Sequence, residues 1–175
     1  FSIGYTEPGS GTDLASLKTS AVRDGDHYVV TGQKIWSTWA NRSRWGILLA
    51  RTDPTVPPHR GISYFAVPMD TPGVEILGPM HVFGNDDAPH GHMHIKLENV
   101  RVPKDNIILG PGRGFEISQG RLGPGRIHHC MRAIGAAEKA LKLMCERAVN
   151  RTAFGKPLAR LGVNIDIVAN ARMDI

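Results

Sequence analysis

The sequence predicts an α+β protein with a β-rich part, residues 1–110, followed by a helical part, residues 111–175. Short β-prone segments separated by glycine and proline turns fill the first part. Near Gly110 the hydrophobic period changes from two residues to 3.6, and a glycine-rich connector lies at the change. We therefore expect a small barrel or sandwich in the first part and part of a helix bundle in the second.

The predicted strands follow one another at short intervals. Asp24-Gly25 separates two β-prone runs, which signals a hairpin. Gly32 marks a second turn, after which residues 34–38 form another strand. Further strands are expected at 45–51, 61–68, 74–77 and 92–100, with a proline-containing loop at 53–60.

The helical part is predicted from its periodicity. Pro124 suits the first position of a helix, and apolar residues then recur on one stripe as far as Ala148. A helix from Gly125 to Arg147 would be about 35 Å long, too long for a small β domain to cover. Residues 154–157 end this helix, and a helical pattern resumes at 163–175.

The composition is that of an ordinary globular protein. The chain has 175 residues, of which 41% are hydrophobic and 21% charged. No apolar run approaches the ~18 residues of a membrane helix, so we expect no transmembrane segment. Cys130 and Cys145 both lie in the helical part, which favours a reducing, intracellular setting. Because the chain begins at Phe1 and ends within a helical pattern, we expect a fragment.

The positive charge does not indicate a nucleic-acid partner. The net charge is +5, but the basic residues are scattered and form no run of five. A scattered positive charge serves equally well to attract a small anionic ligand.

Residues 5–13 form the first candidate site. They place glycines and small hydroxyl residues in a tight turn, where convergent N–H groups could bind a phosphate or a polar ring edge. An ordinary connecting turn has the same composition, so both interpretations stay open on this segment alone.

Trp36-Ser37-Thr38 is the second candidate. A tryptophan offers a flat face for stacking, and a threonine two residues later on a strand shares that face and can donate to a ring heteroatom. A tryptophan in the core of a barrel is the competing interpretation.

Two other patterns are weaker. Gly112-Arg113-Gly114 lacks the third glycine and the βαβ context of a dinucleotide fingerprint. His90, His92 and His94 alternate and could share a zinc-binding face, yet no carboxylate or thiol stands at suitable spacing, so we expect no metal.

Taken together, these segments strongly resemble the acyl-CoA dehydrogenase family. The segment from Gln119 to Arg132 is similar to the branch whose animal members fuse the dehydrogenase to a kinase-like domain. The matching runs are TEPGSGTD at 6–13, GQKIWST at 32–38, NVRVP at 99–103, GF at 114–115 and RTAFGK at 151–156.

The resemblance implies an α+β multidomain protein that binds FAD. A central antiparallel β-barrel would be followed by the start of a C-terminal four-helix bundle, and an N-terminal helical domain would precede Phe1. The implied cofactor contacts are Ile3, Tyr5, Thr6, Gly11, Thr12, Trp36, Ser37, Thr38, Arg151 and Phe154.

The resemblance also implies a role for several of these contacts. Tyr5 and Thr6 would lie at the pyrimidine edge of the flavin, and Gly11 and Thr12 near the pyrophosphate. Trp36 and Thr38 would contact the flavin ring, with the Thr38 hydroxyl at N5. Arg151 and Phe154 would reach the cofactor of a neighbouring subunit, which implies a homodimer or a homotetramer. Thr12 and Arg126 would contact the acyl-CoA substrate.

The implied reaction is α,β-dehydrogenation of an acyl-CoA to a trans-2-enoyl-CoA in fatty-acid β-oxidation, with electrons passed to an electron-transferring flavoprotein. Most members place the catalytic glutamate in a late loop, and a minority place it where this chain has Gly125. We therefore expect the base to lie outside this chain. A non-catalytic flavin- or acyl-CoA-binding relative and an acyl-CoA oxidase are the alternatives. The expected compartment is bacterial cytoplasm or a mitochondrial or peroxisomal matrix.

Overall fold

The computed structural model describes residues 1–85 and 87–175. They form two compact units, Phe1–Gln119 and Gly120–Ile175. The first unit contains seven strands of one sheet: β1 (Ser2–Gly4), β2 (Ser20–Asp24), β3 (His27–Thr38), β4 (Trp45–Arg51), β5 (Ile62–Pro68), β6 (Val74–Pro79) and β7 (His92–Pro103).

Helix α1 (Gly114–Asn150) begins in the first unit and continues into the second. The short hairpin β8 (Thr152–Ala153) and β9 (Lys156–Pro157) follows it, and helix α2 (Gly162–Asp174) comes last. Single 3₁₀ turns lie at Leu14–Ser16, Ala40–Arg42, Pro58–Arg60, Lys104–Asn106 and Leu158–Arg160.

The sheet is mixed and open, so the prediction of a closed antiparallel barrel is wrong. Strands β1 and β2 pair with β4 in parallel, whereas the other pairs are antiparallel. The outer edge of β5 is bound by the segment after β7 and not by β6. There the Ile108 N–H donates to Tyr64 O at 2.8 Å, and Asn106 Nδ2 donates to Ala66 O at 2.9 Å. With that edge occupied, β5 and β6 do not join.

Most of the predicted strands are confirmed, but Gly32 does not form a turn. The hairpin between β2 and β3 turns at Gly25, as expected. Strand β3 continues through Gly32 with only a shift of register beside it. A Cβ at Gly32 would lie 2.4 Å from Thr19 Oγ1 and 2.7 Å from Thr19 Cα. Here glycine permits close approach of a neighbouring backbone. The sequence also gave no sign of β1.

Two clusters of buried side chains form the core of the first unit. The larger lies between β2, β3, β4, β5 and β7 and includes Phe65, Ile95 and Leu97. The smaller is built on Leu17, Leu49 and Ile62, and Tyr5 packs against it. The loop that follows β1 is therefore anchored to a core.

The predicted start of the long helix is also wrong. Helix α1 begins at Gly114, ten residues before Pro124, which lies inside it. A proline in a helix interior removes the N–H that would bond to the carbonyl four residues earlier, here Gly120, but the helix continues past it.

The apolar stripe on α1 is mostly exposed in this chain. Leu141 is buried, but Ile127, Met131 and Ile134 are 67%, 62% and 43% exposed. The described residues contain two α-helices, and since the sequence predicted only the start of a four-helix bundle, the bundle itself stays a prediction. Neither helix combines the length and apolar character that a membrane crossing requires.

Candidate functional site

The loop after β1 closes on itself through backbone hydrogen bonds. The Glu7 N–H donates to Ser10 O at 2.8 Å, and the Ser10 N–H donates back to Glu7 O at 3.1 Å. The Ser10 hydroxyl then donates to Asp13 O at 2.9 Å. These bonds fix a compact turn between β1 and the 3₁₀ turn at Leu14–Ser16.

The outer side of this loop is open. A Cβ at Gly9 would meet no atom within 4 Å, and one at Gly11 would meet only Thr6 Cγ2 at 4.0 Å. Neither glycine has a positive φ. Within residues 1–85 and 87–175, the N–H groups of Gly11 and Thr12 donate to no protein acceptor. The fold itself does not require these glycines, so the open space and free donors suit a ligand.

A buried ion pair supports the loop from below. Lys34 is fully buried and Glu7 is 6% exposed, and Lys34 Nζ lies 2.8 Å from Glu7 Oε1. Glu7 also accepts from the backbone N–H groups of Lys18 at 2.7 Å and Thr19 at 3.0 Å. Lys34 Nζ donates to Tyr5 O at 3.3 Å. We call these residues, Glu7, Lys34, Lys18 and Thr19, the loop floor.

The two charges of the loop floor respond differently to burial. Burial raises the pKa of Glu7, but the charge of Lys34 and the hydrogen bonds from Lys34, Thr19 and Lys18 outweigh it and lower that pKa below its ordinary value. Burial lowers the pKa of Lys34 to about 8, because Glu7 only partly offsets the loss of hydration. Glu7 has several donors for its charge, whereas the Lys34 ammonium has one carboxylate and one carbonyl. The charged form of Glu7 is therefore better compensated in the folded protein than the charged form of Lys34.

Two hydrogen bonds hold the loop beside the end of β3. The Ile35 N–H donates to Thr6 O at 2.9 Å, and the Ser2 hydroxyl donates to Thr38 O at 3.0 Å. The two segments selected from the sequence, Tyr5-Thr6 and Trp36-Ser37-Thr38, are therefore neighbours in the first unit.

A β-bulge presents Trp36 to solvent. Between Lys34 and Ser37 the pairing with β7 shifts, since Lys34 pairs with Ile95 but Ser37 pairs with Met93. Trp36 adopts a φ of 58° and is 41% exposed. A left-handed backbone costs a residue other than glycine roughly 1–2 kcal/mol, and strain of this kind concentrates at functional sites. The bulge leaves Lys34 and Ser37 buried while Trp36 and Thr38 are exposed.

Trp36 and Thr38 both contact one histidine. Thr38 Oγ1 lies 2.9 Å from His92 Nδ1, and the rings of Trp36 and His92 are edge-on with centroids 5.9 Å apart. We call these three residues the exposed face. Between Trp36 and Thr38, Ser37 is fully buried, and its hydroxyl has no hydrogen-bond partner among the described residues.

The three alternating histidines have separate partners. His94 Nε2 lies 2.9 Å from Gln33 Oε1, and the ring of His90 lies 5.8 Å from that of Trp39. His92 bonds to Thr38. Each imidazole thus contacts a different side chain, two of them in β3 and the third, Trp39, directly after it.

The remaining candidates of the first unit lie along β1 and just after it. Ile3 is half-buried and pairs with Ile47 of β4. The Tyr5 hydroxyl is 2.9 Å from that of Tyr64, so this side chain is tied to β5. The backbone of Tyr5 remains next to the loop floor through its carbonyl.

The second unit contains Arg126, Arg151 and Phe154. Arg126 lies in α1, and Arg151 follows the last residue of that helix. Phe154 and Gly155 form the turn of the β8–β9 hairpin, with φ values of 52° and 74°. Phe154 is 93% exposed. This hairpin presents an aromatic ring that nothing in its own unit covers.

The glutamates of the chain are mostly engaged in ion pairs. Helix α1 has Gly125 just before Arg126 and thus no carboxylate there. Glu7 is saturated by donors of the loop floor. The other paired glutamates are Glu98, Glu116, Glu138 and Glu146.

Sequence reasoning missed the loop floor and His92. Glu7 and Lys34 both belong to the quoted runs, but a lysine on a strand is ordinarily solvent-exposed. The one available signal was that each of the two runs, 6–13 and 32–38, carries a charged residue of opposite sign to the other. His92 was considered only as a metal ligand. Its contact with Thr38 results from the register between β3 and β7, which the sequence does not show.

The sequence matches two family descriptions in tandem. Residues 2–99 match the acyl-CoA dehydrogenase middle domain, and residues 112–172 match the acyl-CoA dehydrogenase C-terminal domain.

Individual relatives extend over nearly the whole chain. Acyl-CoA dehydrogenase family member 10 of Mus musculus is 47% identical over an alignment 176 residues long, which covers 99% of this chain and 16% of the relative. Acyl-CoA dehydrogenase family member 11 of Rattus norvegicus is 50% identical over 97% of this chain and 22% of the relative. The crystal structure of acyl-CoA dehydrogenase from Geobacillus kaustophilus is 32% identical with a TM-score of 0.79, covering 98% of this chain and 45% of that one.

The chain thus spans less than half the length of each of these relatives. The middle-domain match nevertheless extends over more than half of the chain, and the C-terminal match follows in the expected order. The chain belongs to the acyl-CoA dehydrogenase family.

Proposed function

We propose that this chain is the flavin-binding part of an enzyme that converts an acyl-CoA thioester to a trans-2-enoyl-CoA with FAD. The observation that carries the proposal is the juxtaposition of two segments. The bonds from Ile35 N to Thr6 O and from Ser2 Oγ to Thr38 O set the loop after β1 beside the exposed face.

The donors present fit a flavin. The exposed indole of Trp36 offers an aromatic face for a planar ring, and the hydroxyl of Thr38 can donate to a ring nitrogen. Gly11 and Thr12 are exposed and offer backbone N–H groups of the kind that bind a pyrophosphate. The buried Lys34 is paired with Glu7, so its charge is compensated within the loop floor.

Each group has a distinct task in this proposal. Tyr5 and Thr6 bind the pyrimidine edge, Gly11 and Thr12 bind the pyrophosphate, and Trp36 covers one side of the ring. Thr38 donates to N5. Ser37 and Ile3, which adjoin these residues, are the remaining proposed cofactor contacts. Bound FAD would supply the hydride acceptor.

Binding of substrate is assigned to Thr12 and Arg126. Removal of the α-proton requires a base with a pKa raised by burial and hydrogen bonds to the thioester carbonyl where negative charge develops. Because Gly125 stands where a minority of the family carries the base, and no glutamate of this chain stands at either family position, we place the base outside residues 1–175.

The oligomer is part of the proposal. Arg151 and the exposed ring of Phe154 would reach the cofactor of a neighbouring subunit in a homodimer or homotetramer. Residues 111–175 would contribute to a four-helix bundle, and the exposed stripe on α1 is the surface that such a bundle would cover. We assign residues 1–110 to the flavin-binding domain. We also propose that the enzyme acts in fatty-acid β-oxidation and passes its electrons to an electron-transferring flavoprotein. Its proposed compartment is the bacterial cytoplasm or a mitochondrial or peroxisomal matrix.

The test uses the full-length protein. The purified protein should show an oxidised flavin spectrum, and anaerobic addition of acyl-CoAs of increasing length should bleach it for one class of chain length. Thr38→Ala should weaken this bleaching, whereas Thr31→Ala, on the same strand but bonded to Asn99, should not.

The alternatives give different results in the same experiment. A flavin spectrum that no acyl-CoA bleaches would indicate a non-catalytic binding relative, and absence of flavin would refute the cofactor assignment. Rapid reoxidation by oxygen without an electron-transferring flavoprotein would indicate an oxidase.

A further inference from the structure

We infer that His92 is a positioning residue that sets the direction of the Thr38 hydroxyl, an inference that rests on the proposed function. His92 Nδ1 lies 2.9 Å from Thr38 Oγ1. The two residues are opposite each other in the pairing of β3 with β7. Among the roles assigned above to the exposed face, none belongs to His92.

The contact is fixed by the backbone on both sides. The His92 carbonyl accepts the Met80 N–H at 2.6 Å, and the Thr38 carbonyl accepts the Ser2 hydroxyl at 3.0 Å. These bonds do not involve the imidazole. Replacing the His92 side chain should therefore leave the strand in place and remove only the contact to Thr38 and the ring contact to Trp36.

The hydrogen-bond inventory then defines what His92 does. A threonine hydroxyl has one proton to donate and two lone pairs that accept. If His92 carries its proton on Nδ1, that N–H donates to Thr38 Oγ1. The Thr38 proton is then directed away from His92, towards the open side where N5 would lie. We assign this tautomer from the role proposed for Thr38, because a hydroxyl that donated to His92 could not also donate to a ligand.

The ring contact supports the same role. The His92 ring meets Trp36 edge-on at an interplanar angle of 70° and a centroid distance of 5.9 Å. This contact restricts rotation of the imidazole, so Nδ1 stays aimed at Thr38. One side chain thus orders both residues that the proposal puts against the flavin ring.

His94 provides a matched control. It lies two residues further along β7, and its Nε2 forms a bond of 2.9 Å, but to Gln33 and not to Thr38. His94→Phe removes an imidazole and its hydrogen bond from the same strand while leaving the His92–Thr38 contact intact.

The experiment measures the midpoint potential and the visible spectrum of the full-length holoprotein for wild type and four variants. Thr38 donates to N5 most favourably in the oxidised form, so His92→Phe should raise the potential and change the absorption bands. A single hydrogen bond is worth about 0.5–1.5 kcal/mol. The affinity for oxidised cofactor relative to reduced cofactor should therefore fall by roughly 2- to 10-fold. For a two-electron couple this raises the midpoint potential by up to about 30 mV.

The conservative variants separate positioning from structure. The amide nitrogen of His92→Asn can occupy the place of Nδ1, so this variant should retain the wild-type potential and spectrum. His92→Gln puts its amide beyond that place and should resemble His92→Phe. His94→Phe should match the wild type. Thermal unfolding of the apoproteins shows whether each variant is folded.

Two results would overturn the inference. One is a His92→Phe or His92→Gln protein with the wild-type potential and spectrum. The other is a His94→Phe protein that shifts as much as His92→Phe. If the wild type binds flavin and is bleached by acyl-CoA while the His92 variants behave as wild type, only this inference fails. If the wild type binds no flavin, the proposed function fails and His92 has no cofactor to serve.

Discussion

The loop floor and the exposed face lie next to each other in the first unit but differ in how their polar groups are satisfied. In the loop floor, Glu7 accepts from Lys34, Lys18 and Thr19 within 3.0 Å. On the exposed face, Trp36 adopts a left-handed φ, and the adjoining Ser37 hydroxyl is buried without a partner in the described part of the chain. The charges of the first arrangement are compensated by partners, whereas the left-handed backbone and the unpaired hydroxyl of the second cost stability. Strain of this kind concentrates at functional sites, so the difference supports the role proposed for the exposed face.

The largest expected effect comes from breaking the loop floor. Lys34→Met leaves the buried Glu7 carboxylate without its cation, which costs about 3–5 kcal/mol of unfolding free energy for a buried pair. Urea unfolding of the full-length apoprotein measures it. The double variant Glu7→Gln/Lys34→Met should recover much of the loss, because it leaves no unpaired charge.

A surface pair provides the comparison for Lys34→Met. Lys104 pairs with Asp26, with side chains 44% and 78% exposed. Lys104→Met should change the unfolding free energy by less than about 1 kcal/mol, since solvent screens such pairs. Equal losses for Lys34→Met and Lys104→Met would refute a special role for the loop floor.

The next effect is on the pH dependence of stability. Lys34 has a pKa of about 8 in the folded protein and an ordinary value of 10.5. Between these values the unfolded chain binds more protons, so this residue makes stability increase as the pH rises from about 8 to 10.5. Glu7 has a lowered pKa, so the stability it contributes above its ordinary value of 4.5 is lost as the pH falls through the folded value.

Unfolding midpoints across both pH ranges test this prediction. The difference between wild type and Glu7→Gln/Lys34→Met isolates the two groups, because all other titrating residues are shared. A difference that stays constant from pH 3 to 5 and from pH 8 to 10 would contradict the assignment.

The same contrast explains how much the sequence could predict. Local patterns located most of the strands, because alternation and the Asp24-Gly25 turn act over a few residues. They could not predict that the sheet stays open, since this depends on the segment around Ile108 reaching the edge of β5 from far along the chain. Gly32 has the composition of a turn, and only the proximity of Thr19 shows its actual role.

The candidate site follows the same rule. The resemblance selected Thr6, Trp36 and Thr38 from short runs of sequence. The partners that organise them, Lys34 beneath the loop and His92 across the sheet, depend on register and burial. A single-residue bulge decides that Lys34 and Ser37 are buried while Trp36 is exposed, and no local pattern indicates a tryptophan with positive φ.

The smallest expected change in stability distinguishes the exposed face most directly. Trp36→Gly relieves roughly 1–2 kcal/mol of backbone strain, but glycine costs about 0.5–1 kcal/mol of conformational entropy and the contact with the His92 ring is lost. The net change in unfolding free energy should be within about 1 kcal/mol.

Trp39→Gly is the matched control, because Trp39 is also left-handed, with a φ of 55°, and 53% exposed. Both variants should unfold at similar urea concentrations, but only Trp36→Gly should lose flavin on dialysis. If Trp36→Gly retained flavin as well as Trp39→Gly, the strain at Trp36 would have no connection with cofactor binding, and the contrast between the two regions would be one of packing alone.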